Sequence, residues 1–159
     1  MKKSSSVLLK ILIGIISVFF ATSLYAATNV ADIIKMENKA YSKHKKGISE
    51  FSHKKHSEDY KVGCGECHHD ADNKPLDSLK IGDEVQNCVE CHKKPEYITG
   101  KKAKGLSKAD KMEYHGNAMH ANCKGCHKKF NKGKGLKSKD PGAAPTTCKS
   151  CHPKKAKVQ

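Results

Sequence analysis

All eight cysteines of the chain fall in four pairs with two residues between them, and every pair is followed at once by histidine. The motifs are Cys64-Gly-Glu-Cys67-His68, Cys88-Val-Glu-Cys91-His92, Cys123-Lys-Gly-Cys126-His127 and Cys148-Lys-Ser-Cys151-His152. Cys-x-x-Cys-His is the covalent attachment signal of a c-type haem. On one helical turn the sulfurs at i and i+3 face the same way as the imidazole at i+4. The two thiols can then bond the two vinyl groups of one haem while the histidine binds its iron. The pattern predicts four covalently attached c-type haems, with His68, His92, His127 and His152 as their proximal ligands.

Other chemistries use paired cysteines. Zinc ribbons need four ligands per metal and do not require a histidine after every pair. With His at 10 of 159 positions, four such histidines arise by chance about once in a hundred thousand. A disulfide scaffold suits an exported chain, but bridges within each pair close only tiny loops. A thioredoxin-like motif needs a single pair beside a βαβ pattern, and neither condition holds.

Six-coordinate iron in four haems requires four further axial ligands. The sequence offers six more histidines: His44, His53, His56, His69, His115 and His120. The supply exceeds the demand by two. Methionine ligation would raise a potential, and Met112 and Met119 lie nearby, but the histidine supply makes it unnecessary.

The elements that must position these residues are poor in the usual core-forming side chains. Residues 1–26 read as a cleaved export signal: Lys2 and Lys3, an apolar run from Val7 to Phe20, then small residues ending at Ala26. The mature chain is then residues 27–159, with 27–50 as an N-terminal extension and no membrane span remaining. Leu, Ile, Val and Phe number 16 in those 133 residues, fewer than the ~20% below which a highly charged chain stays disordered. Something other than protein must supply the missing apolar mass. Four porphyrins, about one per 33 residues, would do so.

Val30, Ile33, Ile34 and Tyr41 fall near helical spacing and predict a short amphipathic helix within 29–46. Ile48, Phe51, Tyr60 and Val62 predict two short strands around His53 and His56. Residues 70–87, 93–106 and 131–147 read as loops. Ser107 with Asp110 marks a helix start. Ala109, Met112, Gly116 and Met119 share a face of that helix, which would deliver His120 at its C-terminal end. The fold class expected is a small multihaem domain, mostly irregular loops with a few short helices and a minor two-stranded β-hairpin wrapped around four haems.

From about Met36 to His152 the sequence resembles the class III cytochromes c, small tetrahaem periplasmic carriers. The most specific stretch is Phe51-Ser52-His53-Lys54-Lys55-His56 followed by Cys64-Gly-Glu-Cys67-His68-His69, and the second is Ala118-Met119-His120. The resemblance implies His53 with His68 on the first haem, His69 with His92 on the second, His56 with His127 on the third and His120 with His152 on the fourth. Many family members have four residues between the cysteines of the second and fourth motifs, where this chain has two. His120 also precedes Cys123 by only three residues, closer than in typical members. His115 is therefore the runner-up for the fourth distal position.

Two imidazoles fill an iron's coordination sphere and leave no site for substrate, so the expected activity is low-potential electron transfer and not enzymatic turnover. The alternatives are a subunit of a larger extracellular electron conduit, marked by self-association, and a multihaem reductase with one open haem. Charge bears on partners. The mature chain carries 28 Lys and 16 acids, and residues 123–159 carry 11 Lys against the single acid Asp140. This face would meet acidic redox proteins, and the resemblance points to hydrogenase, formate dehydrogenase or membrane redox complexes. Nucleic acid is a poor partner for an exported chain without Arg or Trp.

Overall fold

A computed structural model describes residues 30–154 of the protein; the expected signal segment lies outside the described residues. Two short strands open the fold, β1 (Ile33–Lys35) and β2 (Glu50–Ser52). They pair antiparallel with Ile34 opposite Phe51. The stretch expected to be helical instead holds a three-residue strand followed by turns and irregular backbone. Ile33 and Ile34 are β-branched and fit a pleated surface, and the partner they gain lies 17 residues on. The second expected strand, at Tyr60 and Val62, does not form. The chain instead leaves β2 directly into a helical turn at His53, continued by the wide turn Lys55–Asp59, which the Tyr60 N–H closes onto the Lys55 carbonyl at 3.0 Å.

Each Cys-x-x-Cys-His motif makes a helical turn. In the first it is the tight turn Cys64–Glu66. The second is α1 (Cys88–Cys91), capped by Asn87 and Glu90 in a reciprocal box. The histidine N–H of the first, second and fourth motifs donates to the carbonyl of its first cysteine, at 2.8, 2.9 and 2.8 Å. That bond curls the pentapeptide so that cysteines and histidine share one side.

The expected helix start at Ser107 is present, with Ser107 and Asp110 capping each other at the head of α2 (Lys108–Met112). It does not run on to His120. Tyr114 adopts an extended backbone and bridges in parallel to Lys94, so the helix breaks and restarts as α3 (His115–Gly133). His120 therefore sits near the beginning of a 19-residue helix that also contains the third motif. The expected loop at 131–147 starts later for the same reason. Gly135 ends the helix with φ +67°, its N–H reaching the Lys132 carbonyl at 3.1 Å and the Leu136 N–H reaching that of Asn131 at 2.8 Å. This paired arrangement requires a left-handed residue, which glycine supplies. The last helix, α4 (Cys148–Cys151), is capped by Thr147 and Ser150.

Apolar packing does not hold these pieces together. Ile98, at 4% exposure, is the one buried hydrophobic side chain among the described residues. Two asparagines of α3 act as clamps instead. The Asn117 amide exchanges two hydrogen bonds with the backbone of Ile98, at 2.9 and 3.0 Å. The Asn131 amide does the same with Ala144, at 2.7 and 2.9 Å. Each bond is worth about 1 kcal/mol net, and each clamp presses a passing loop onto the helix.

Candidate metal centres

Three of the histidine pairs implied by the resemblance are brought together. His56 and His127 have ring centroids 6.1 Å apart with planes at 22°. His69 and His92 are 6.0 Å apart at 69°, and His120 and His152 are 6.1 Å apart at 36°. Two imidazole nitrogens each about 2 Å from one metal ion, with each ring centre roughly 1 Å behind its nitrogen, stand about 6 Å apart centre to centre. The spacing therefore fits one metal between two axial rings. For the remaining pair the structure places His53 within electrostatic reach of His68, whose imidazole is pushed below its ordinary pKa by burial first and by His53 and His69 next.

Hydrogen bonding fixes which nitrogen can bind. Nδ1 of six of the eight histidines lies against a backbone carbonyl: His56 on Ser52 at 2.8 Å, His69 on Asp70 at 2.7 Å and His92 on Met112 at 2.5 Å. His120 meets Gly116 at 2.6 Å, His127 meets Pro145 at 2.8 Å and His152 meets Gly47 at 2.9 Å. A carbonyl only accepts, so Nδ1 carries the proton in each case and Nε2 keeps its lone pair. Metal-binding histidines are oriented in this way.

The acceptors come from elements that sequence reasoning did not connect with the site. His152, near the end of the described chain, is steered by Gly47 of the N-terminal extension, and His127 by the loop that Asn131 clamps. A polar, poorly helix-forming asparagine inside a helix was the available signal for that clamp. On α3, His120 and His127 are seven residues apart, two turns along one face and about 10 Å of rise. One rigid element thus carries one histidine of each of two facing pairs.

The thiols converge as well. Burial pushes the Cys123 thiol up to about 11, and Cys67, Cys151, Cys88 and Cys126 add to the shift. Members of all four motifs are therefore within electrostatic reach of Cys123. All eight cysteines are free of disulfides, and each motif keeps two sulfurs beside its histidine, as thioether attachment requires.

The two surplus histidines gather elsewhere. The Tyr41 ring stacks on His44 at 5.1 Å, and its hydroxyl is 2.8 Å from Nδ1 of His115. His115 therefore packs against the N-terminal extension, while His120 is the histidine brought opposite His152.

Among known proteins, the profile described as the Class III cytochrome C family matches residues 29–152. No curated protein and no solved structure matches the chain.

Proposed function

Because the chain belongs to the class III cytochrome c family, whose members are multihaem electron-transfer proteins, we propose that it is a periplasmic low-potential carrier with four covalently attached haems. The cysteine pairs Cys64 and Cys67, Cys88 and Cys91, Cys123 and Cys126, and Cys148 and Cys151 hold them. His53 with His68, His69 with His92, His56 with His127, and His120 with His152 are the axial pairs. When bound, each haem supplies a one-electron iron centre; the chain supplies ligands of fixed orientation and the scaffold that keeps the centres together. The observation that carries this reading is the set of imidazole pairs about 6 Å apart with their Nδ1 protons engaged. Among the described residues no helix is long and apolar enough to cross a membrane.

A pyridine haemochrome assay combined with a potentiometric titration tests it. The expected outcome is about four haems per chain, every one low-spin, with negative midpoints, as two imidazole ligands favour relative to imidazole and methionine. A high-spin fraction in the intact protein would instead restore the reductase reading.

Docking at the lysine-rich C-terminal region follows from the charge. Lys124, Lys128, Lys129, Lys132 and Lys134 line α3 and its end, and Lys149 lies inside the fourth motif. With about +4 at four ferric centres and up to about −8 on propionates, the mature chain keeps about +8. An acidic redox partner is therefore steered here. Its association rate is expected to fall at least tenfold between low and high ionic strength in stopped-flow measurements. A rate indifferent to salt removes steering from the account.

A further inference from the structure

His120 is held on two sides. Its Nδ1–H is tied to the Gly116 carbonyl at 2.6 Å within its own helix. The ring of Tyr97 also lies 4.4 Å from the imidazole at a tilt of 32°. We propose that Tyr97 is a positioning residue: its ring sets the rotation of the His120 imidazole about its metal bond and keeps water from one face of it, thereby tuning the potential of the fourth haem. This rests on the reading of His120 and His152 as one axial pair.

The backbone beneath Tyr97 is fastened on both sides, which fixes the point from which its half-exposed ring reaches His120. The Lys94 carbonyl accepts from the His115 N–H at 2.8 Å, and the Glu96 carbonyl accepts from the Gly116 N–H at 2.9 Å. Asn117 clamps Ile98, one residue further on, at 2.9 and 3.0 Å. The approach is close enough to need glycine: a Cβ on Gly116 would stand 2.7 Å from the Glu96 carbonyl oxygen and 2.8 Å from the Tyr97 Cβ. The residue that lets Tyr97 in is thus the same one whose carbonyl anchors His120. Among the described residues the Tyr97 hydroxyl makes no hydrogen bond, so the flat aromatic face is the part that acts.

The chemistry follows from the charge on iron. Ferric iron carries one more positive charge than ferrous, and water near an axial imidazole favours the ferric state; excluding it favours the ferrous state. Removing the ring should lower the midpoint of that haem and free the imidazole plane, which stands 36° from that of His152.

The test uses the full haem-loaded protein with Tyr97→Phe, Tyr97→Leu and Tyr97→Ser, read by redox titration followed through the NMR resonances of the haem methyl groups. In the ferric state those resonances respond to the orientation of the axial rings. Tyr97→Ser is expected to lower the midpoint of one haem and displace its methyl pattern, leaving the other three near their original values. Tyr97→Leu, which keeps bulk and loses the flat face, should displace the methyl pattern with a smaller change of midpoint. Tyr97→Phe should leave both as in the parent. The proposal is overturned if Tyr97→Ser and Tyr97→Leu leave every methyl pattern unchanged, or if Tyr97→Phe moves them as far. His120→Ala serves as the reference. If it leaves every haem low-spin, the axial pairing itself is wrong and the role of Tyr97 falls with it. If one haem turns high-spin while the Tyr97 variants are silent, the pairing stands and only the role of Tyr97 is lost.

Discussion

Protein made without haem attachment is expected to give the far-ultraviolet spectrum of an unfolded chain and to be digested by protease at least a hundred times faster than the haem-loaded form. The argument is one of missing apolar surface. Ordering each residue costs about 1–2 kcal/mol of backbone entropy, and burial returns about 25 cal/mol per Å² of apolar area. Among the described residues Ile98 is the one buried hydrophobic side chain, while Ile33 and Tyr60 are 56% and 60% exposed and Phe130 is 46% exposed. The longest helix, α3, has 19 residues and is largely polar; helices in proteins draw most of their stability from packing an apolar face, and α3 has little of one to pack. Asparagine clamps and short capped turns add about 1 kcal/mol per bond and cannot replace a core. Circular dichroism and timed proteolysis of a strain lacking haem attachment would decide it. Native-like helix content in the colourless protein would show that the polypeptide stands alone and that the haems are guests.

The same shortage explains which parts of the structure could be read from the sequence. Attachment motifs are local: cysteine, cysteine and histidine lie within five residues, one helical turn suffices, and all four form that turn. The Ser107–Asp110 cap and the α2 start were legible for the same reason, since a reciprocal cap is decided by residues three apart. Periodicity failed where the structure depends on distant partners. Ile33 and Ile34 occur at spacings compatible with a helix, yet β1 forms because Phe51 and its neighbours pair with it from 17 residues away. In a chain with so few apolar residues, four positions cannot distinguish a helical face from a short strand.

The α2–α3 break was hidden by a comparable competition. Ala109, Met112, Gly116 and Met119 suit one uninterrupted helix, but the segment from Lys94 to Ile98 takes up the His115 and Gly116 N–H groups and bends the chain at Tyr114. The carbonyls that orient the histidines were illegible because their spacing follows no motif; Gly47 lies 105 residues from His152. The approach of His56 to His127, of His69 to His92 and of His120 to His152 was different. It followed from position-by-position resemblance, and no spacing argument by itself selects His56 for His127 or prefers His120 to His115.

Substituting His56 with alanine is expected to turn one haem high-spin and carbon monoxide-binding, whereas His115→Ala should leave the visible spectrum and ligand reactivity of all haems unchanged. His56 lies opposite His127 at 6.1 Å and holds its Nδ1 proton on Ser52, so on the proposed pairing its loss would open one axial position and leave His127 as the remaining protein ligand. Carbon monoxide uptake of the reduced protein should rise from near zero to ~1 per chain, and added imidazole should reverse it by refilling the position. The same change should lower thermal stability, because His56 follows β2 while His127 belongs to α3, and a haem iron held by both would cross-link them. His115 has another occupation. Its Nδ1 meets the Tyr41 hydroxyl at 2.8 Å, and Tyr41 in turn stacks on His44. Its removal should loosen the N-terminal extension without touching an iron. If His115→Ala instead opened a haem and His120→Ala did not, the fourth distal ligand would be His115, and α3 would have to rotate to bring a residue five positions earlier opposite His152.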